Sequence, residues 1–471
     1  MKHAIILCLL VSLLMMPAFT ADVDITGRVK LFSSVFLTKN LEGKFFSHES
    51  GEFALKRLEA RLGFSGSLAD NISFSVRFDS FTSPDAWLAP DSFPESSSLG
   101  APAGTEPFDI FLYEGHILFR RFLVPGLKLT VGKQRIQWGT TGKMSVVDNL
   151  NPVDFANFLT FDPDYFMERR PQTAMNLEYQ LSSRARLQLI WLLSRQHSPL
   201  PAGFTRMMAS PSTVIYRDHV HIEQEKPLLK HTNLGFRYST VLLQAEWGLS
   251  YYHGNYHLPV LKGLTTLPWR RDQFYQYPQK DIFGLDVSGK FFSIGFRAEG
   301  AYIRPEKMDG FMAQAHVIDG IYLVEKTVFS LFEKDYFQYV LSVDHTLGIA
   351  DGLYINAQYI HGFFDERDYS EKAERHLKFQ SGMFFGEIQD YIFGQAKLNL
   401  LGKNLKIELK GIIEFADSRT PVVWMPSIRY KAFDDAALQA GLFLVSGGDE
   451  NTKFGIFKDD KLAYFAFTLD F

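Results

Sequence analysis

The sequence predicts an all-β fold: a transmembrane antiparallel β-barrel of about 18 strands, 16 to 20 at the limits, with short turns at one end and long loops at the other. Three observations predict it. Aromatic residues make up 15% of the 471, with 44 Phe and 20 Tyr, while 22% are charged. Beyond Ala21 no run approaches the roughly 18 apolar residues that a membrane helix needs. From residue 25 onward, segment after segment alternates apolar and polar side chains, the period that gives a strand one greasy and one wet face.

The chain opens with Met1-Lys-His, an apolar run over 4–16, then Pro17-Ala-Phe-Thr-Ala21 and Asp22. A basic start, a short apolar core and small residues before an acidic one read as a secretory signal peptide over 1–21, cleaved between Ala18 and Asp22. The apolar run is shorter than a membrane anchor requires. Cys8 is the sole cysteine. The exported chain, 22–471, then has no disulfide, thiolate metal site or cysteine nucleophile. Lys+Arg 49 against Asp+Glu 53 gives −4, a balance that argues against a nucleic-acid partner.

A first strand covers 25–37, and a polar loop covers 38–51. The next strand, 53–65, sets Leu58, Ala60, Leu62 and Phe64 against Arg57, Glu59 and Arg61. A tight turn over 67–71 leads to 72–81, where Phe74, Val76 and Phe78 oppose Ser75, Arg77 and Asp79. A long Pro/Ser/Gly loop follows over 82–107. Strand pairs recur near 108–120 with 126–138, 172–181 with 185–196, and 231–240 with 241–253. More follow near 282–290 with 293–303, 336–346 with 353–362, 388–399 with 404–415, and 421–431 with 436–446. The stretch 304–335 is apolar in parts and leaves room for another hairpin.

The final strand, 461–471, stands alone. Ala463, Phe465, Phe467, Leu469 and Phe471 share one face. This ending resembles the C-terminal signature of Gram-negative outer-membrane proteins, an aromatic last residue after alternating apolar positions. That resemblance implies recognition by the barrel-assembly machinery through Phe471. Outer-membrane lipid and lipopolysaccharide are the expected surroundings.

Polar residues line the faces that would point inward: Arg186 and Gln188, Gln244 and Glu246, Arg297 and Glu299, and Lys406, Glu408 and Lys410. Arg57, Arg61, Arg77, Arg237 and Arg429 join this wall beside Glu59, Asp79 and Glu246. A barrel of 16–18 strands leaves an aqueous lumen. Arginines on such a wall suit carboxylate or phosphate.

The candidate site is the connection over 139–171. Gly132-Lys-Gln-Arg-Ile-Gln-Trp-Gly139 runs into Asp148-Asn-Leu-Asn-Pro-Val-Asp154 and then Glu168-Arg-Arg-Pro171. Between them stand Phe155, Phe158, Phe161, Tyr165 and Phe166. Five rings in an open loop would leave a sizeable apolar patch, so an inward fold into the barrel mouth is expected. Arg135, Arg169 and Arg170 can pair with Asp148, Asp154 and Glu168. Lys133, Trp138 and Asn151 complete the candidate constriction. The same residues serve equally if they only pin the loop to the wall. The motif carried by Gly132, Lys133, Gln134, Trp138, Gly139, Asp148, Asn151, Pro152 and Asp154 resembles that of porin-like outer-membrane proteins distantly similar to alginate-export-type channels. That resemblance implies an 18-strand-type channel with an inward loop and no particular substrate.

Asp218-His-Val-His-Ile-Glu223 puts His219, His221 and Glu223 on one strand face, with His253 and His257 on a neighbouring loop. Such spacing also suits a polar hairpin, and no metal or cofactor is assigned. The expected function is a channel, not an enzyme, passing small polar or anionic solutes through the outer membrane. A FadL-like transporter of hydrophobic compounds is the alternative, drawn from the Phe-rich 155–166 segment and the apolar 311–332 segment. A barrel hydrolase ranks third, because no nucleophile–base spacing is recognisable.

Overall fold

The computed structural model describes residues 23–41, 48–82, 108–155, 162–165, 167–194, 196–198, 217–222, 232–267, 270–318, 321–377, 386–415, 420–448 and 452–471. The leader and its cleavage site lie outside these residues. So do Phe158, Phe161, Phe166 and Glu223.

In chain order the strands are β1 (Val23–Phe36), β2 (Phe53–Ala69), β3 (Ile72–Thr82), β4 (Phe108–Arg120), β5 (Leu127–Gln134), β6 (Gln172–Ser182), β7 (Ala185–Leu192), β8 (Arg217–Ile222), β9 (Asn233–Leu242), β10 (Ala245–Asn255), β11 (Val260–Leu267) and β12 (Arg270–Gln276). They continue with β13 (Gln279–Phe291), β14 (Ile294–Pro305), β15 (Asp309–Ile318), β16 (Ile321–Ser330), β17 (Tyr336–Leu347), β18 (Leu353–His361), β19 (Asp390–Leu400), β20 (Leu405–Phe415), β21 (Val422–Phe433), β22 (Ala436–Ser446) and β23 (Leu462–Asp470). A short helix, α1 (Glu371–Leu377), lies between β18 and β19.

Eighteen strands form one closed antiparallel sheet: β1–β7, β9, β10, β13, β14 and β17–β23. Each pairs with the next, and β23 returns to β1 from Arg28 opposite Asp470 to Phe36 opposite Leu462. Closure leaves no unpaired edge, the condition for crossing a bilayer with strands. The period-2 pattern assigns the faces. On β20, Ile407 and Leu409 are 43% and 42% exposed on the outside, while Glu408 and Lys410 line an internal cavity. Leu249, Leu285, Leu341 and Ile355 give other strands the same greasy exterior.

The seam between the two ends of the sheet needs close approach. The Gly27 amide donates to the Phe471 carbonyl at 2.6 Å, and the Phe471 amide returns a bond to Gly27 at 3.0 Å. The Phe471 ring lies over Gly27, where a β-carbon would meet it at 2.1 Å. Glycine at 27 therefore makes the room in which the final ring rests.

The remaining five strands make a second sheet in the order β16-β15-β11-β12-β8. It joins three of the long connections. The apolar 304–335 stretch supplies the β15–β16 hairpin, which belongs to this sheet and not to the barrel wall. Two of its pairings are parallel, β11 with β15 and β12 with β8. Val260, Leu261, Leu264, Tyr275 and Phe329 pack there with Tyr369 and with Ala373 and Leu377 of α1.

Some boundaries differ from the sequence-based expectation. β5 ends at Gln134 rather than 138, because the chain turns inward-packing from Ile136. The β9–β10 turn sits at Leu243–Gln244 rather than at 240–241. Both residues have positive φ, 53° and 62°. That backbone matches strand twist in a two-residue hairpin, although neither residue is a usual choice for it.

Candidate functional site

The connection between β5 and β6 is held by side chains of the barrel wall. Trp138 is buried, and its Nε1 donates to Gln188 Oε1 on β7 at 2.8 Å. Gln188 in turn donates to Asn176 on β6 at 3.0 Å. The indole lies across Gly235 of β9, where a β-carbon would come within 2.8 Å of it.

Glu299 of β14 receives the next turn. Its carboxylate accepts from the backbone amides of Thr140, Thr141 (2.6 Å) and Val146 (3.2 Å) and from Ser145 Oγ (2.7 Å). One buried wall carboxylate thus satisfies donors that would otherwise be stranded away from water. The sequence places Glu299 on the wall but gives no sign of this role. Its partners are backbone groups, which carry no residue signature.

Three ion pairs fix the rest. Arg169 lies 3.4 Å from Asp148, Arg170 2.6 Å from Asp154, and Arg135 3.0 Å from Glu168. Val153 forms a bridge with Arg169, while Asn151 Nδ2 donates to the Ile136 carbonyl. Lys133 stands apart from these pairs: its ammonium donates to the Leu112 carbonyl of β4 at 2.7 Å. Phe155 is buried against Phe364, with ring centroids 5.0 Å apart.

The far end of the connection meets β1 and β2. Buried Asp162 accepts from Lys30 at 2.8 Å and from Arg57 at 2.9 Å. Asp164 takes a further bond from Lys30 at 2.7 Å, and Tyr165 Oη donates to Glu59 at 2.8 Å. Neither Lys30 nor Asp162 stands out in the sequence. Lys30 lies on the polar face of β1, but its partner is 132 residues away.

Wall arginines are largely neutralised. Arg57 contacts Glu59 at 2.6 Å; Arg61 and Arg77 share Asp79 at 3.1 and 3.0 Å. Arg186 lies 3.6 Å from Glu178, Arg237 is bidentate to Asp286 at 2.7 Å, and Arg297 pairs with Asp344. Arg429 has no carboxylate within ion-pair distance among the described residues. It sits opposite Lys406 in the β20–β21 register, with Lys397 and Lys410 nearby and Glu408 as their counter-charge.

Two cavities border this connection. One, of about 440 Å³, lies between Thr140–Met144 and the β14 and β18–β23 walls. Tyr354, Asn356, Gln358, Gln395 and Lys410 give it polar groups, and Phe393, Met425 and Phe443 apolar ones. The other, of about 300 Å³, is lined by charged residues including Arg61, Arg77, Asp79, Arg135 and Glu168. Burial pushes the Asp148 carboxyl up to about 6, against the pull of Arg169 and Arg135. Burial, assisted by the Lys280 ammonium, pushes the His257 imidazole down to about 3. The neutral His257 ring donates from Nε2 to the Asn149 carbonyl at 2.8 Å, while Nδ1 lies 3.3 Å from the Gln196 carbonyl.

The histidine-rich strand takes another form. His221 pairs with Asp272 of β12 at 2.8 Å and stacks on Phe274. His253 pairs with Asp281.

No protein-family model matches the chain, and no curated protein does. Solved structures do. OccAB4 of Acinetobacter baumannii is 9% identical, with 95% of this chain covering 98% of that one at a TM-score of 0.52. OccK9 (OpdG) of Pseudomonas aeruginosa is 7% identical, with 96% covering 98% at 0.51. The fold is that of the outer-membrane porins. At this identity the likeness concerns architecture. The similarity to alginate-export-type channels remains one of motif alone.

Proposed function

We propose that this barrel is an outer-membrane channel for small polar or anionic solutes, narrowed by the 139–171 segment folded into its lumen. One observation carries the reading. Groups of the connection from β5 to β6, Trp138 together with 139–171, bond to inner-wall residues of β1, β2, β7 and β14, far apart around the barrel. A segment reaching those sectors crosses the interior, and the two cavities lie beside it. The excess of Arg429, Lys397, Lys406 and Lys410 over their counter-charge Glu408 supports a mild preference for anions.

The hydrophobic-transport alternative has less support. Phe155 is buried in packing, and 311–332 builds a hairpin of the second sheet. Neither forms an apolar pocket in the lumen among the described residues.

Conductance in a planar bilayer tests the proposal. Removing 144–166 should raise single-channel conductance while the folded barrel keeps its heat-resistant mobility. Glu299→Ala should act in the same direction by stranding the amides of Thr140 and Thr141. Unchanged conductance with an intact barrel would place the segment outside the conduction path. Reversal potential in a salt gradient tests selectivity, and clear cation preference would sink that part.

A further inference from the structure

Three hairpins repeat one arrangement on the outside of the wall, at the end carrying the long connections. Near the end of β10, Tyr251 and His253 both turn to Asp281 of β13: the tyrosine hydroxyl donates at 2.7 Å and His253 Nδ1 lies at 2.8 Å. At the end of β14, Tyr302 and Arg304 both turn to Asp335, with Arg304 Nε at 3.3 Å. At the end of β18, Tyr359 and His361 both turn to Asp390 of β19, each at 2.7 Å.

Each unit is therefore a tyrosine, a basic residue two positions later on the same strand face, and an aspartate from the following barrel strand or just before it. They face outward. Asp281 shares its strand face with exposed Phe283 and Leu285, Asp335 with Phe337, and His361 with Ile355. The rings of Tyr251, Phe283, Tyr302 and Phe337 run along this wall at centroid spacings of 5.1, 6.3 and 4.9 Å. Such a ring row marks the interface of a membrane barrel, where apolar wall gives way to headgroups.

The aspartate orients its basic partner. His253 and His361 both direct Nδ1 to the carboxylate, which leaves Nε2 without a partner among the described residues. Arg304 turns Nε to Asp335 at 3.3 Å, and its side chain is 55% exposed, so the guanidinium is open to a headgroup. The basic side chains are 31–55% exposed, so a headgroup can reach them. An imidazole Nε2 donates to an anionic oxygen when protonated and accepts from a sugar hydroxyl when neutral. A guanidinium is suited to phosphate.

We propose that these three units are docking points for the phosphorylated glycolipid of the outer leaflet. The aspartates alone would repel a phosphate. Each carboxylate is already engaged by a tyrosine and a base, and in the two histidine units Nε2 is the ring nitrogen on the side away from it.

Native mass spectrometry of the refolded full chain in detergent tests this with three probes: bisphosphorylated lipid A, dephosphorylated lipid A and inorganic phosphate. The expected result is discrete adducts with bisphosphorylated lipid A, at least tenfold weaker with the dephosphorylated form, and undisturbed by millimolar phosphate. His253→Gln, Arg304→Gln and His361→Gln together should remove most of that binding at unchanged heat-resistant mobility. Equal adducts with both lipids would overturn the proposal, as would displacement by phosphate alone. The comparison of lipids uses the unaltered chain, so it decides the matter even if the triple variant fails to fold. A folded triple variant that still binds would equally reject it. None of these outcomes depends on conductance.

Discussion

At the scale of single residues, two buried groups in the connections titrate in opposite senses. His257 is held down to about 3 by burial and Lys280. Against an unfolded value near 6.5, the stability that it lends above pH 6.5 is lost as pH falls toward 3. Asp148 is held up to about 6 by burial. The stability linked to its protonation is present below pH ~4 and lost as pH rises through 6. Between pH 6 and 4 the two offset each other. The protection of 145–155 against hydrogen exchange should therefore change little over that range in the unaltered chain. His257→Gln should make protection rise on acidification, and Asp148→Asn should make it fall. Parallel slopes in both variants would show that these groups do not govern the segment. Asp148 was legible in the sequence as a charged turn residue, and His257 only as one of several histidines. What binds His257 is the backbone carbonyl of Asn149, which no residue pattern announces.

At the scale of elements, alternation carried most of the information. Every strand of the barrel wall has a counterpart in the period-2 reading, because each must satisfy lipid on one face and water on the other. The second sheet was not legible as such. The 304–335 stretch reads as a hairpin, but the parallel pairing of β11 with β15 depends on how neighbouring hairpins stand, and nothing local encodes it. The facing of β20 makes a direct test. Leu409→Arg puts a charge toward lipid and should cost about 2–4 kcal/mol near the midplane. Lys410→Arg keeps a cation in the lumen beside Glu408 and should cost little. Urea-induced unfolding in lipid vesicles measures both. Equal tolerance would mean that the faces are assigned the wrong way round.

At the scale of the whole molecule, the barrel exists only if its ends meet. The seam between β1 and β23 finishes on the two Gly27–Phe471 backbone bonds and the ring over Gly27. Deleting Phe471 removes all three contacts and the aromatic ending that the assembly machinery is expected to read. Outer-membrane levels of heat-modifiable barrel should fall, with unfolded chain accumulating in the periplasm. Levels equal to those of the full chain would remove Phe471 from the assembly step. The strand number was legible because short and long connections alternate along the chain. The packing of the 139–171 connection against the wall was legible only in that the connection is too aromatic to be left open.

In the orientation proposed above, with the long connections outside, the second sheet has a consequence for anything that approaches the cell. Gly263 and Phe311 lie side by side in it, yet 48 residues separate them along the chain. An antibody or phage tail fibre resting there would read β8, β11–β12 and β15–β16 as one surface. A peptide copied from any one of these connections would lack its neighbours and should raise antibodies that miss the folded protein. Sequence change in one connection would likewise alter the footprint of the other two, so escape from such recognition needs only one of the three to vary.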